Sequence, residues 1–596
     1  MLNIHRITNR YLTSYYQTVR CQSFYTSTSI NHSDTINNNH NNNSNHNKIN
    51  DNYSSSHNNS SHQLNNKLIT TPIFYVNGTP HIGHLYTSVL GDAIARWNRF
   101  CNDKVLYMTG TDEHGQKVQD AAKKAQKDNI VYCDEISGVF RKSFDQFGIS
   151  YDDYIRTTEQ RHKNVVHDMW NKLDGNGLIY KGSYEGWYCV SDEAFLTNDQ
   201  VQDGMSPVTP QNPVSKPCKL SIESGNPCEW VSESNYMFKL TDFLKPIDNW
   251  LSKNPLYPES WNLQARSYLP HLKDLSVSRP SSRLPWGIRV PNDESQSIYV
   301  WLDALTNYLT VAGGFKARSA DGTDIAWNHT DVTHVIGKDI LKFHSIYWPA
   351  FLLGTGLKLP HSIVTHAHWT VERVKMSKSR GNVISPFDIA EKYGIEGVRY
   401  FLLKGGGLEN DGDWSDLEVR SRITADLADT FGNLVTRCTA KALHPSRAWP
   451  TCLSQTFAAT AQEPNSLRII EQMQQLVSLV NQHYKCGDIK SGIYEVINFT
   501  YATNNFVEQT KPWTLVPKPG KQAGDLMRLN DIMYILLECI RTIALLLSPV
   551  IPESSKKTLD HIGVDETHRN INHIQFGYDY PQTLVPMNPL ILFKKE

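Results

Sequence analysis

The chain lacks closely spaced cysteines: its ten are scattered, and no two form a Cys-x-x-Cys pair. That excludes the short four-thiolate knuckle of a structural zinc site, and the scatter reads as reduced thiols in an intracellular compartment rather than a disulfide framework. Long apolar runs are missing as well. The most apolar late stretch, Ile532 to Leu547, is interrupted by Glu538 and Arg541 and stops at Ser548-Pro549, so it reads as a buried bundle helix and not a membrane span. Charge of one sign is also lacking. A net charge of −1 over 596 residues argues against a coat for indiscriminate nucleic-acid binding, while allowing a local basic face that grips one RNA through its phosphates.

One absence is local: no acidic residue precedes Asp34. Residues 1–30 carry Arg6, Arg10 and Arg20 among many Ser, Thr and Tyr, the composition of a mitochondrial transit peptide. An Asn/His/Ser tract follows as far as Asn66 with almost nothing to bury, so it is expected to be a disordered spacer whose histidines are compositional. The remaining length can bury several cores, roughly three to five units in the whole chain.

What the chain does have is two short motifs, His81-Ile82-Gly83-His84 and Lys375-Met376-Ser377-Lys378-Ser379, and together they point to chemistry on ATP phosphates. The first follows an apolar, β-branched run, Leu68 to Val76, and a turn pair, Asn77-Gly78; Pro80 suits a first helical turn. From His84 through Leu85, Val89, Ile94 and Trp97 the apolar spacing is helical, which puts both histidines at a helix N-terminus where free N–H groups and the dipole attract anions. The second motif brackets small residues with Lys375 and Lys378 and continues into Ser379-Arg380-Gly381, a flexible cationic loop. Charge builds on pyrophosphate during displacement at the α-phosphate, so lysines that tighten only then lower the barrier most. Taken singly, each motif reads as structure: a capped helix, a solvated basic loop.

With their flanks, these motifs resemble the class I aminoacyl-tRNA synthetases, specifically the methionyl-tRNA synthetases of mitochondrial or bacterial type. The resemblance runs from about residue 67 to the C-terminus. It includes Phe74-Tyr75-Val76-Asn77-Gly78, Gly110-Thr111-Asp112-Glu113-His114-Gly115, Tyr299-Val300-Trp301-Leu302-Asp303-Ala304, and Ile336-Gly337-Lys338-Asp339-Ile340 running on to His344 and Trp348.

The resemblance implies a methionine site in which Asp112 takes the α-ammonium, flanked by Ile73 and Tyr75, with Trp301, Leu305, Tyr308, Ile340, His344 and Trp348 around the side chain. Physically the set suits a flexible, polarizable, uncharged thioether, which needs aromatic walls and one anion. Spacing agrees in part: Ile340, His344 and Trp348 follow at i, i+4 and i+8, one helical face, and Trp301, Leu305 and Tyr308 repeat that pattern. Such a stripe without other evidence reads as core. For ATP the resemblance implies His81, Gly83, His84, Lys338, Asp339, Lys375, Met376, Ser377, Lys378 and Ser379, with His81, His84, Lys375 and Lys378 as the catalytic groups. Arg279 resembles a further active-site arginine, against the plain reading of an exposed salt bridge. Methionine carboxylate would attack the α-phosphate to give methionyl-adenylate, with Mg²⁺ neutralising the phosphates; the terminal ribose of tRNA(Met) would then take the methionyl group.

The implied fold is α/β: a Rossmann-type parallel-sheet catalytic domain split by a connective insertion, followed by an all-α anticodon-binding bundle. The boundaries are 1–66 for the leader and tract, 67–184 and 276–365 for the catalytic halves, 185–275 for the insertion, 366–416 for the signature loop and stem-contact region, and 417–596 for the helical end. Ile470, Met473, Val477, Val480 and Tyr484 mark one helical stripe there. Single-stranded loops are read by stacking and edge contacts, and Trp513 with Asn433 and Arg437, one helical turn apart, matches the family's anticodon positions.

Many bacterial relatives hold zinc in the insertion; here Cys189-Val190-Ser191-Asp192 puts Asp where the second cysteine would be, and Cys218 and Cys228 are too far apart, so no structural zinc is expected. The insertion is too short for a large editing domain, which disfavours the isoleucine, valine and leucine enzymes. With no appended dimerisation module, a monomer in the mitochondrial matrix, off the membrane, is expected. Two departures from the family stand out: Arg373-Val374 before Lys375, where a small residue is usual, and Leu305 for a frequent proline. The alternatives are another class I synthetase, or a tRNA-binding derivative without catalysis.

Overall fold

Pro72 has no N–H for a sheet ladder, and the apolar run that reads as one strand divides around it. β1 (Asn66–Thr70) and β2 (Phe74–Tyr75) each pair in parallel with β3 (Lys104–Asp112), and α1 (Ile82–Phe100) lies between β2 and β3 in the chain. The helix begins at Ile82 with His81 as its N-cap, so Pro80 stands ahead of the cap and not in the first turn. These elements come from a computed structural model, which describes residues 66–189, 194–196, 198–206, 214–222, 225–315, 326–376, 381–450, 457–517, 525–581 and 583–593. The proposed transit peptide and most of the Asn-rich tract lie outside the described residues.

Further strands complete the main sheet: β4 (Asp153–Arg156), followed by α2 (Gln160–Gly175), and then, beyond an antiparallel excursion of β5 (Ile179–Cys189) and β6 (Pro227–Phe238), the short β7 (Leu256–Tyr257). β8 (Ser278–Pro280) leads toward α3 (Val300–Val311), β9 (Asp331–Gly337), α4 (Trp348–Gly354) and β10 (Ser362–His366). The seven parallel strands run in the order β7-β10-β9-β1-β3-β2, with β4 also on β3. The chain leaves β1 toward β3 and returns on its other side at β9. Such a reversal opens a crevice at the carboxyl ends of the strands, where ligands bind in doubly wound sheets. Gly110 permits the tight β3–β4 approach, because a Cβ there would stand 2.0 Å from the Ile155 carbonyl oxygen.

β5 and β6 form a long antiparallel ladder from Ile179↔Phe238 to Cys189↔Cys228. This sheet opens ahead of residue 185, and β7, although it falls within 185–275, joins β10 in the main sheet. The helical end contains α5 (Ile395–Gly405), α6 (Asn433–Cys438), α7 (Pro464–Lys485), α8 (Ile489–Thr510) and α9 (Leu526–Leu547). On α7 the buried stripe is Ile469, Met473, Leu476, Val480 and Tyr484; Ile470 and Val477 sit at its edge, partly buried. The stretch Ile532 to Leu547 is buried throughout, and Arg541 Nε donates to Glu538 Oε1 at 2.8 Å, so its two charges neutralise each other inside the bundle. No helix is long and apolar enough to cross a membrane, among the described residues.

Arg399 on α5 ties the sheet to the bundle. Its buried guanidinium donates to Asp92 Oδ2 on α1 at 2.7 Å and to the carbonyls of Phe147, Pro549 and Val550. Burial alone would raise the Asp92 carboxyl, but Arg399 and Arg96, with Ser150, hold it below its ordinary value.

Candidate active site

The first signature is a reciprocal cap. His81 Nδ1 accepts from the Gly83 N–H at 3.0 Å, and His84 Nδ1 accepts from the His81 N–H at 3.2 Å, the geometry of a capping box built from imidazoles. The rings stack with centroids 3.8 Å apart. Because each Nδ1 accepts, the neutral rings carry their protons on Nε2, and two imidazole donors stand at the N-terminus of α1. Gly83 has its own reason: a Cβ would meet the His81 ring at 2.8 Å. The Ile82 N–H donates to the Ile384 carbonyl at 3.1 Å, so the segment that follows the second signature is bonded to the first turn of this helix.

Of the second signature, Lys375 ends a short strand, Val374–Lys375, and Met376 packs partly buried against the core; Ser377, Lys378 and Ser379 lie outside the described residues. The strand pairs with Trp369–Val371 across a two-residue turn, Val371↔Val374, whose central residues Glu372 and Arg373 have φ of 52° and 62°. Such hairpin turns favour Asn-Gly, so the unusual Arg373 sits in a left-handed conformation and is held there by its N–H on Asp413 Oδ1 at 2.8 Å. Nearby, Lys338 Nζ donates to Asp411 Oδ1 at 2.6 Å and Asp339 pairs with the His368 ring. Desolvation would raise the Asp411 carboxyl, but Lys338 and the His368 N–H keep it below its ordinary value.

On the other side of the crevice, Asp112 is buried at the end of β3, with Tyr75 as its register partner on β2 and Ile73 partly buried just before. Trp301 stacks on Phe343 at 3.5 Å between centroids, while Leu305, Tyr308, His344 and Trp348 are buried. His344 Nδ1 donates to the Ile340 carbonyl at 2.9 Å, which leaves Nε2 to accept from Tyr308 Oη at 2.7 Å. Burial drives His344 down to about 4, so the ring is neutral, and pushes the Tyr308 hydroxyl up. The helix expected over Ile340, His344 and Trp348 forms but is not regular: it opens as a 3₁₀ turn, Lys338–Ile340, and widens into a five-residue π-turn, Phe343–Tyr347, before continuing as α4. Its wider turn brings His344 beneath Tyr308 while Trp348 stays buried, with ring centroids 5.9 Å from Tyr308.

Sequence reasoning missed several residues here. Phe343 is the partner of Trp301; His334, on β9, lies 4.4 Å from the Tyr308 ring and holds Thr70 Oγ1 through Nδ1 at 2.7 Å. Asp303 accepts from two imidazoles at 2.7 Å, His114 Nδ1 on Oδ2 and His162 Nε2 on Oδ1. The one available signal was that His114 and Asp303 fall inside the two quoted stretches around Asp112 and Trp301.

Arg279, on β8, is buried rather than an exposed salt bridge: it donates to Ser276 Oγ and the Ser278 carbonyl, and its guanidinium lies 5.4 Å from the Tyr188 ring and 4.4 Å from that of Tyr299. With Tyr188, Glu229, Glu233, Arg283 and Tyr299 it lines a cavity of about 400 Å³ between the insertion and the catalytic sheet. In the bundle, Asn433 is exposed on α6, and Arg437 reaches the face of Trp513 at 5.9 Å while pairing with Glu508 at 2.6 Å. Trp513 is 40% exposed, which removes the core-packing reading.

A parallel sheet with its crevice at β1, paired histidines opening the first long helix, and the stretch after the second signature bonded back to that helix are the features of a class I synthetase; the family model described as "tRNA synthetases class I (M)" matches residues 67–439. A probable mitochondrial methionine–tRNA ligase of Dictyostelium discoideum is 55% identical over 536 residues, 89% of this chain and 92% of that protein. The mitochondrial methionine–tRNA ligase of Mus musculus is 43% identical over 524 residues, 85% of this chain and 86% of that protein. Among solved structures, Mycobacterium tuberculosis methionyl-tRNA synthetase in complex with methionyl-adenylate is 33% identical with a TM-score of 0.79, covering 89% of this chain and 100% of that one. The chain belongs to the methionyl-tRNA synthetase family.

Proposed function

We propose that this protein activates methionine with ATP and transfers it from methionyl-adenylate to the 3'-terminal ribose of tRNA(Met), acting as a monomer in the mitochondrial matrix. The observation that carries the reading is the Ile82–Ile384 bond, which ties the helix that opens with the imidazole pair to the stretch of chain that follows the second signature. Relatives of mitochondrial type support the compartment.

The carboxylate of methionine is already a nucleophile, so the protein aligns it and stabilises developing charge. His81 and His84 donate through Nε2 to the phosphates, with Gly83 admitting the close packing of the motif; Lys375 and Lys378, with Met376, Ser377 and Ser379 of the same signature, meet the leaving pyrophosphate. Lys338 and Asp339 contact the ribose or phosphates. Asp339, a half-exposed carboxylate, would help to hold a Mg²⁺ carried by ATP, and that ion would supply neutralisation of the phosphate charge without a protein cage. Asp112 takes the α-ammonium, with Ile73 and Tyr75 beside it, and the dry aromatic set of Trp301, Leu305, Tyr308, Ile340, His344 and Trp348 takes the thioether. Arg279 lines the cavity beside the insertion, and Asn433, Arg437 and Trp513 read the anticodon by stacking and edge contacts.

The division into catalytic halves 67–184 and 276–365, insertion 185–275, loop and stem-contact region 366–416 and helical end 417–596 belongs to the same reading. So does folding of the insertion without zinc: Cys189, Val201 and Cys228 form a small apolar cluster, a setting in which thiols act as hydrophobes.

The test is amino-acid-dependent ATP–pyrophosphate exchange with all twenty amino acids, on wild type and Lys378→Ala. Methionine-only exchange that is lost in the variant is the expected result. Exchange with a different amino acid overturns the pocket assignment, and no exchange from a folded, tRNA-binding protein overturns catalysis.

A further inference from the structure

We propose that Asp303, gripped by His114 and His162, is a positioning residue that sets the span of the amino-acid site; the inference rests on the methionine pocket proposed above. A bound methionine is held at two ends, its ammonium at β3 and its thioether against α3. The separation of those elements therefore decides which side-chain length fits, and one methylene in an apolar pocket changes discrimination by about 10- to 200-fold.

The geometry points to Asp303 as the link that sets this separation. His114 is the second residue after Asp112, and Asp303 is the second after Trp301, so the His114–Asp303 bond joins the two walls close to the ligand. All three side chains are buried, at 5% exposure or less. His162 reaches α3 from α2 at two places, Nε2 on Asp303 Oδ1 at 2.7 Å and Nδ1 with Thr310 Oγ1 at 3.0 Å. It thereby orients the carboxylate from behind. The loop that carries His114 is itself anchored: the Gly115 N–H donates to the Trp286 carbonyl, the Trp286 ring N–H donates to the Glu113 carbonyl, and Glu113 is bidentate with Arg156 on β4. With the loop tied to β4 and the helix tied to α2, the carboxylate between two imidazoles closes the frame. Although desolvation alone would raise its carboxyl, the two histidines hold Asp303 down to about 2, so it is a carboxylate throughout the working range.

The nucleotide side lies on α1 and on the loops after β9 and β10, and among the described residues the hydrogen bonds of this frame run instead to β4, α2 and Trp286. Loosening the frame is therefore expected to act on methionine and not on ATP. An asparagine at position 114 carries an amide N–H where the imidazole carries Nδ1–H, whereas alanine carries none. His114→Ala is expected to raise the methionine KM in pyrophosphate exchange at least tenfold, leave the ATP KM within twofold, and cut the preference for methionine over ethionine at least fivefold. His114→Asn, which loses the ring but keeps the donor, is expected to stay within threefold of wild type in both. If the two variants behave alike, if both KM values move together, or if only kcat falls, the proposal is overturned. Should His114→Ala fail to fold by its melting profile, the pair His162→Gln and His162→Ala asks the same question, since glutamine restores a donor at the Nε2 position. Absence of methionine-dependent exchange in wild type would instead reject the underlying function, and so the two failures are distinct.

Discussion

The proposed methionine pocket and the proposed anticodon face use the same kinds of side chain, aromatic rings with a nitrogen base beside them, and treat water oppositely. In the pocket, Tyr308, His344 and Trp348 are buried, and the polar atoms of the first two are committed in advance: Tyr308 to His344, and His344 to the Ile340 carbonyl. On the face, Trp513 is 40% exposed with Arg437 beside it and Asn433 in the open. A small thioether without charge offers little but shape and polarizability, so its site must be dry and organised before binding. Bases of a loop bring their own π-faces and polar edges, so a partly wet platform is enough.

The sharpest break of this contrast is to delete one tryptophan from each. Trp348→Ala is expected to cost about 3–5 kcal/mol of folding stability, read by urea denaturation, and to abolish methionine-dependent exchange. Trp513→Ala is expected to shift stability by roughly 0.5 kcal/mol or less, leave exchange intact and weaken tRNA charging by the loss of about 1–3 kcal/mol of stacking. Equal destabilisation by the two would erase the distinction.

A finer cut is Tyr308→Phe, which keeps the ring and removes the donor to His344. A buried acceptor is then left without its bond, at an expected cost of about 1–3 kcal/mol, visible as a lower denaturation midpoint. Arg437→Gln, at an exposed pair with Glu508, is expected to change stability by about 1 kcal/mol or less in the same measurement.

Acid separates the regions as well. His344 is down at about 4 in the folded protein because burial disfavours its charged form, whereas in the unfolded chain it titrates near 6.5. Above that ordinary value both states are neutral and the group contributes nothing. As pH falls below it, the unfolded chain binds a proton that the folded protein refuses, and stability drops. Between pH 7 and pH 5 the loss from this residue is on the order of 2 kcal/mol, and a denaturation series on wild type and His344→Gln checks it. A pH-independent difference between the two would show that His344 is not buried neutral.

The most local expected effect lies at the turn before Lys375. Arg373→Gly relieves a left-handed conformation worth about 1 kcal/mol, so amide exchange in the Val371–Val374 ladder is expected to slow about fivefold. Unchanged exchange would mean that the Asp413 contact, and not the backbone, limits that hairpin.

Much of the fold was legible because its signals are local. The capping histidines stand at the start of a helix whose apolar period is plain, and the expectation that Trp513 is more than core rested on its resemblance to a family position and agrees with its 40% exposure. The α7 stripe was nearly right, displaced by one residue at two places because periodicity locates a face but not its centre. The run around Pro72 was misjudged as one strand because a residue without an N–H interrupts the ladder and leaves the apolar spacing intact, and the helix through His344 was right in extent but not in its turn, because a π-turn widens the helix with no mark in the spacing. His334, His162 and Asp303 were invisible as a site, since the partners of Asp303 are 189 and 141 positions away.

By itself the sequence determined where the first long helix begins, that the C-terminal end is helical, and the family to which the two signatures point, because each depends on neighbours within a few residues. Only the tertiary structure decided which imidazole nitrogens accept, which tryptophan is dry and which is wet, and that a buried carboxylate spans β3 and α3. Those properties are set by burial and by contacts between distant segments, and no local stretch of chain contains them.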